Sequence, residues 1–285
     1  MKTRIFLLTI LGLGLIMSSC EKKGAVQDLE NRYDERIKEL EERLAAAEGR
    51  VQAQEDADRA AAEADSLAQL VDPYVSGSIN GHNYVDLGLP SGRLWASCNL
   101  GADAMEKAGD YFAWGETATK VGATSPLNSY DKARYAHWRS SYMIKYTSYS
   151  DHGHLENPDN LTVLQAADDA ATAQWGAGWR MPDIEDFQEL DENCTSTLVR
   201  LPGGVSGRLF TAANGNQLYL PEAGYYEGTG LEEASLAYYW TRQLDETNEN
   251  CLKAQAFVMG YDMVVFNMSQ DRWLGLTIRP VADPQ

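Results

Sequence analysis

The sequence predicts an α+β protein: a domain of short mixed strands with two helices, preceded by a long α-helical, coiled-coil stalk. Three observations carry that reading. Residues 21–72 are rich in Glu, Ala, Arg and Leu, hold glycine only at Gly24 and Gly49, and place apolar residues at alternating steps of four and three. Beyond Pro73 the composition turns to Gly, Trp and Tyr in short alternating runs. A strong helix start then follows Pro182.

The chain begins with the basic residues Lys2 and Arg4, an almost unbroken apolar run from Ile5 to Met17, and Ser18-Ser19-Cys20. That order is expected of a secretory signal peptide over 1–19, cut before a cysteine, Cys20, that is then lipidated. The apolar run is short for a bilayer span, and Glu21-Lys22-Lys23 follows at once. An uncleaved N-terminal helix is the alternative. The reading expects a membrane partner through the N-terminal lipid. Glu21 rather than Asp after the cysteine favours the outer membrane as its location in the cell envelope.

Residues 20–72 form the expected stalk. Tyr33, Ile37, Leu40, Leu44, Ala47 and Val51 make a heptad seam flanked by Glu39, Glu41, Glu42 and Arg43. The seam decays at Gln54 and Asp58, so a homo-oligomer through the stalk stands beside a lone, solvated, charge-laced helix. Asp65-Ser66-Leu67 has the form of a short O-glycosylation sequon, with Ser66 as the acceptor. Pro73 stops the helix, and 73–79 is a hinge containing Ser76-Gly77-Ser78.

Residues 80–285 are expected to be one domain. Tyr84–Leu87 and Leu94–Ser97 read as strands joined through Pro90-Ser91-Gly92. A Tyr/Ser-rich tract over 120–160 reads as loop, and Ala166–Gln174 as helix. After Pro182, Asp183 caps a second helix with Asp186 three residues on and Ile184, Phe187 and Leu190 on its apolar face. Further strands are expected at Arg208–Thr211, Gln217–Leu220, Tyr238–Arg242, Ala254–Met259, Met263–Met268 and Leu276–Val281.

Several stretches in order carry a resemblance. They are Tyr84-Val-Asp-Leu-Gly-Leu-Pro-Ser-Gly-Arg-Leu-Trp-Ala-Ser-Cys-Asn-Leu-Gly-Ala102 and Gly109-Asp-Tyr-Phe-Ala-Trp-Gly-Glu116. Then come Asp168-Asp-Ala-Ala171, Trp175-Gly-Ala-Gly-Trp-Arg-Met-Pro182, Leu220-Pro-Glu-Ala-Gly-Tyr225, Tyr238-Tyr-Trp240 and Ile278-Arg-Pro-Val281. Residues 80–282 thus resemble the Fibrobacter succinogenes major paralogous domain family, which is similar to the C-type-lectin-like and formylglycine-generating-enzyme-like folds. The resemblance implies a C-type-lectin-like fold used for binding. It does not imply the oxidase chemistry: the cysteine pair that holds copper in those enzymes has one counterpart here, Cys251. The paired acid–Pro–Asn and Trp–Asn–Asp motifs of calcium lectins are missing from the matching place, and Glu156-Asn-Pro-Asp159 reads as a turn.

A net charge of −18 argues against nucleic acid as a partner. No glycine-rich phosphate loop or hydrolase elbow is present, so neither enzyme activity nor a cofactor is expected. His152-Gly-His154 has a spacing metals use but reads more simply as polar loop. Asp168-Asp169 and Asp183-Glu185-Asp186 fit helix starts. In an oxidising compartment Cys98, Cys194 and Cys251 allow one disulfide in three pairings. The family-matching and helix-end positions of Cys98 and Cys194 make them the expected pair. Adjacent Tyr225-Tyr226 and Tyr238-Tyr239-Trp240 should each turn one ring outward, because neighbours on a strand face opposite sides. Exposed rings beside amides and acids suit glycan or protein recognition. The expected contacts are Tyr226, Glu227, Asn248 and Tyr261, the last two in the polar loops 243–250 and 260–262. The alternative is a structural envelope protein whose domain docks a partner.

Overall fold

A computed structural model describes residues 19–70, 75–120, 129–139, 141–147, 158–200, 206–248 and 250–284. Within 19–70, side chains are described at 24 and 26–59. The expected signal peptide and the His152–His154 and Glu156 readings lie outside the described residues. So do the side chains of Cys20 and Ser66.

The chain divides into two compact units, Met1–Ala61 and Ala62–Gln285. The first is dominated by helix α1, Ser19–Leu70, of 52 residues. At 1.5 Å per residue it extends about 78 Å. No described helix is long and apolar enough to cross a membrane.

The second unit is built around a five-stranded sheet. Strands β1 (Gly77–Ile79), β2 (His82–Asp86) and β3 (Leu94–Ala96) run in sequence order. The last strand, β15 (Val281–Ala282), returns between β3 and β6 (Trp179–Arg180). Both ends of the domain therefore pair at its centre. Two three-stranded sheets complete the frame. One is β7 (Cys194–Arg200), β8 (Ser206–Ala212) and β9 (Gln217–Pro221); the other is β12 (Ala237–Leu244), β13 (Lys253–Met259) and β14 (Val264–Asp271). Two short hairpins, β4–β5 (Trp138–Arg139, Tyr142–Met143) and β10–β11 (Tyr225–Glu227, Gly230–Glu232), stand outside these sheets.

The strand set was expected to be mixed. Every ladder between the described strands is instead antiparallel, and parallel pairing is confined to isolated bridges such as Tyr239 with Thr277. The expected strand Leu276–Val281 shortens to β15, because Leu276 and Thr277 bridge singly to Phe112 and Tyr239.

Helix α2 (Ala170–Trp175) is capped by Asp169, whose carboxylate accepts the Thr172 amide at 3.0 Å and the Met181 amide at 2.9 Å. Helix α3 (Ile184–Asn193) follows the expected pattern: Ile184, Phe187 and Leu190 are buried, and Asp186 accepts the Asp183 amide at 2.8 Å.

The core has two large layers, and strand alternation sorts residues between them. In β12, Tyr238 and Trp240 join the layer of Trp114, Trp179 and Ile278, while Ala237 and Tyr239 join that of Trp95, Phe187 and Phe257. In β3, Leu94 and Ala96 face the first layer and Trp95 the second. Strands buried on both faces read as continuous apolar runs. This corrects the expectation for Tyr238-Tyr239: neither ring turns outward, because both faces of β12 are covered.

Candidate functional site: a groove beside the β10–β11 hairpin

An open groove of about 880 Å³ lies beside the β10–β11 hairpin. One wall comes from the loop carrying Glu106, Lys107 and Tyr111. Another is the end of β9 with Glu222 and Ala223, and Leu231 of β11 with Arg200 and Ser206 completes the lining. The segments that meet here include two of the motif stretches, Gly109–Glu116 and Leu220–Tyr225.

Two glycines allow that meeting. Gly109 has φ +74°, and a Cβ there would sit 2.4 Å from the Leu100 carbonyl. Gly224 has φ +61°, and its Cβ would strike the Glu232 carbonyl at 2.3 Å. Any other residue would force these backbones apart. Tyr111 then locks the wall by donating its hydroxyl to the Ala223 carbonyl at 2.5 Å.

Tyr226 lies between two of the lining residues. Its ring is edge-on to Tyr111 at 4.7 Å, and it is paired across the hairpin with Leu231. It packs on a third apolar cluster with Tyr130, Tyr135 and Trp138. Leu231 itself is 46% exposed.

The groove presents two acids, Glu106 and Glu222, and two bases, Lys107 and Arg200. Burial raises the Glu222 carboxyl above its ordinary range, and the nearby Arg208 partly offsets that shift. Burial likewise raises the Tyr111 phenol, with Tyr226 contributing next, so it remains a neutral donor.

The four expected contacts do not share one surface. Asn248 closes its own loop: its side-chain oxygen accepts the Leu252 amide at 3.0 Å and its carbonyl accepts the Cys251 amide at 2.9 Å. Tyr261 is 80% exposed at the turn between β13 and β14. The Asn248 loop and the Tyr261 turn lie at opposite ends of β13, whose seven residues span about 23 Å at 3.3 Å each. Glu227 is exposed at the hairpin tip, and Tyr226 sits beside the groove. Tyr226 borders the groove through Tyr111 and Leu231, whereas the Tyr261 carbonyl accepts from Arg208, whose charge acts on Glu222 in the lining. The groove residues Tyr111, Leu231 and Glu222 were missed, although two sit inside the motif stretches and Glu227-Gly228-Thr229-Gly230 reads as a hairpin turn.

The expected Cys98–Cys194 disulfide is not formed. Cys98 donates its thiol to the Ala102 carbonyl at 3.2 Å and packs on the first core layer, whereas Cys194 ends α3 and packs on the second. Burial, with the Asp191 charge adding to it, pushes the Cys194 thiol up to about 11. A thiol held that high is neutral at pH 7 and a poor nucleophile. Among the described residues no cluster of three His, Cys, Asp or Glu is placed to hold a metal ion.

Comparison of the chain with known protein families, with curated proteins and with solved structures finds no match.

Proposed function

We propose that this chain is an envelope lipoprotein, anchored through Cys20, whose domain is a non-catalytic lectin-like module that binds a neutral glycan in the groove beside β10–β11. The observation that carries the reading is the character of the groove. An apolar floor of Ala223 and Leu231 beside the Tyr111 ring lies among two acids and two bases. Such a surface offers sugar rings an apolar face to stack on and gives their hydroxyls charged partners of both signs. The balance of charge disfavours a polyanion, as does the net charge of the chain. The order of motif stretches that resembles the Fibrobacter succinogenes major paralogous domain supports the same reading.

The test is a glycan-array screen of the purified chain, repeated with Leu231→Ala and Glu222→Gln. Leu231 is half exposed, so its truncation leaves the fold intact. Glycan hits that weaken about tenfold or more in either variant support the groove, the loss of a well-placed contact being worth about 1.4 kcal/mol. An empty array, or hits indifferent to both substitutions, sinks the reading and favours protein docking.

A further inference from the structure

Helix α1 exposes an apolar row whose flanking charges specify what covers it. Ile37, Leu44 and Val51 take the a positions of a heptad, and Val26, Tyr33, Leu40 and Ala47 the d positions. The side chains of Val26, Tyr33, Ile37, Leu40, Leu44 and Val51 are between 41% and 58% exposed.

The flanks are segregated by sign. The g positions hold Arg36, Arg43 and Arg50, while the e positions hold Asp34, Glu41, Glu48 and Glu55. In a parallel coil each g residue faces the e residue five positions further along the partner. The resulting pairs are Arg36 with Glu41, Arg43 with Glu48 and Arg50 with Glu55, each made twice. In an antiparallel coil g meets g and e meets e, which sets arginine against arginine and glutamate against glutamate. Within one chain the arginines find only exposed partners: Arg36 and Arg43 both reach Glu39, off the seam. Glu41, Glu48 and Glu55 have no ion pair among the described residues. Two of the three a positions are β-branched and Leu40 lies at d, a pattern that favours two strands over three.

We infer that α1 forms a parallel, in-register, two-stranded coiled coil with a second copy of this chain. Both N-termini then lie at one end of the coil, and both domains continue from the other. The inference is independent of what the groove binds.

The test uses the full chain in mild detergent, with Val51→Cys as the reporter. Mild oxidation followed by peptide mapping should recover a disulfide that joins position 51 of one copy to position 51 of the other. An antiparallel coil would place residue 51 opposite the first heptad of its partner and form none. Changing Arg36, Arg43 and Arg50 together to Glu should weaken dimerisation about tenfold or more at low salt. The reciprocal change of Glu41, Glu48 and Glu55 to Arg should do the same, and mixing the two variants should restore dimers. Tryptophan fluorescence confirms that the domain remains folded in each. A strict monomer at every concentration in the ultracentrifuge, a trimer, or a dimer without the residue-51 link would overturn the inference.

Discussion

At Arg279 the chain buries a full positive charge among neutral oxygens. Its guanidinium donates to Asn99 Oδ1 at 2.8 Å, to the Ala96 carbonyl at 3.0 Å and to the Tyr219 carbonyl at 2.8 Å. Two stretches distant from it in sequence, 96–99 and Tyr219, are thereby tied to one side chain, and burial lowers its pKa. Arg272 does similar work from inside a cage. It lies 4.8 Å from the Trp114 ring and 5.4 Å from Tyr135, and donates to the Cys251 carbonyl at 2.8 Å. A lysine cannot reproduce either fork. Arg279→Leu is expected to lower the unfolding free energy by about 3 kcal/mol, through orphaned buried acceptors, as read by urea denaturation. Arg279→Lys should recover little of that loss.

Asp168 contributes to the acid limb of stability. Burial alone would raise its carboxyl, but the Lys145 ammonium and Tyr146 hydroxyl that it accepts bring it below the ordinary value. A carboxylate with a depressed folded pKa adds stability above its unfolded pKa and loses it as pH falls through the folded one. Asp168→Asn should therefore be less stable than the parent at pH 7. The gap should close as pH falls below about 4. A gap that is constant from pH 7 to pH 3 would remove the carboxylate from the account.

Element-scale behaviour follows from helix ends and interiors. Asp183 caps α3 and also holds Arg242 in a two-pronged pair, at 2.7 and 2.8 Å. Asp186 meets Arg180 at 2.8 Å and Arg93 at 2.7 Å. A lone cap is worth about 1 kcal/mol. Asp183→Ala also strands a half-buried guanidinium, so a loss of about 2 kcal/mol or more is expected in thermal or urea unfolding. In α1 the opposite change is available. Gly49 lies at a solvent-facing position with nothing within 4 Å of a would-be Cβ. Gly49→Ala should stabilise the helix by about 1 kcal/mol, seen as a negative ellipticity at 222 nm that persists to higher temperature.

At the scale of the whole molecule, the two units should melt separately. All seven tryptophans lie in the domain, from Trp95 to Trp273. Their fluorescence reports the domain alone, whereas far-ultraviolet dichroism is weighted towards α1. The two melting curves are expected not to coincide. The dichroism transition should be the broader, and the proposed coiled coil predicts that it shifts with protein concentration. Superimposable, concentration-independent curves would mean that helix and domain unfold as one.

What the sequence determined by itself is local and periodic. The heptad spacing within α1, the Asp183 start of α3 and the alternation of β2, β8, β9 and β13 are each written in residues a few positions apart. Their physics is that of single elements: caps, turns and the faces of a helix or strand. What the tertiary structure decided is which of those faces meets water. Alternation in Tyr238-Tyr239-Trp240 gives two faces to β12, but only the packing of α3 and β3 on one side and of Trp114 and Trp179 on the other buries both. Cys98 and Cys194 each sit on core surface, yet on different layers, which no spacing in the chain encodes. The groove joins residues 106–111, Arg200, Ser206 and residues 221–235 through two glycine close approaches and one tyrosine hydrogen bond. A surface made from segments so far apart in sequence leaves no period to read, because its shape depends on how finished elements pack.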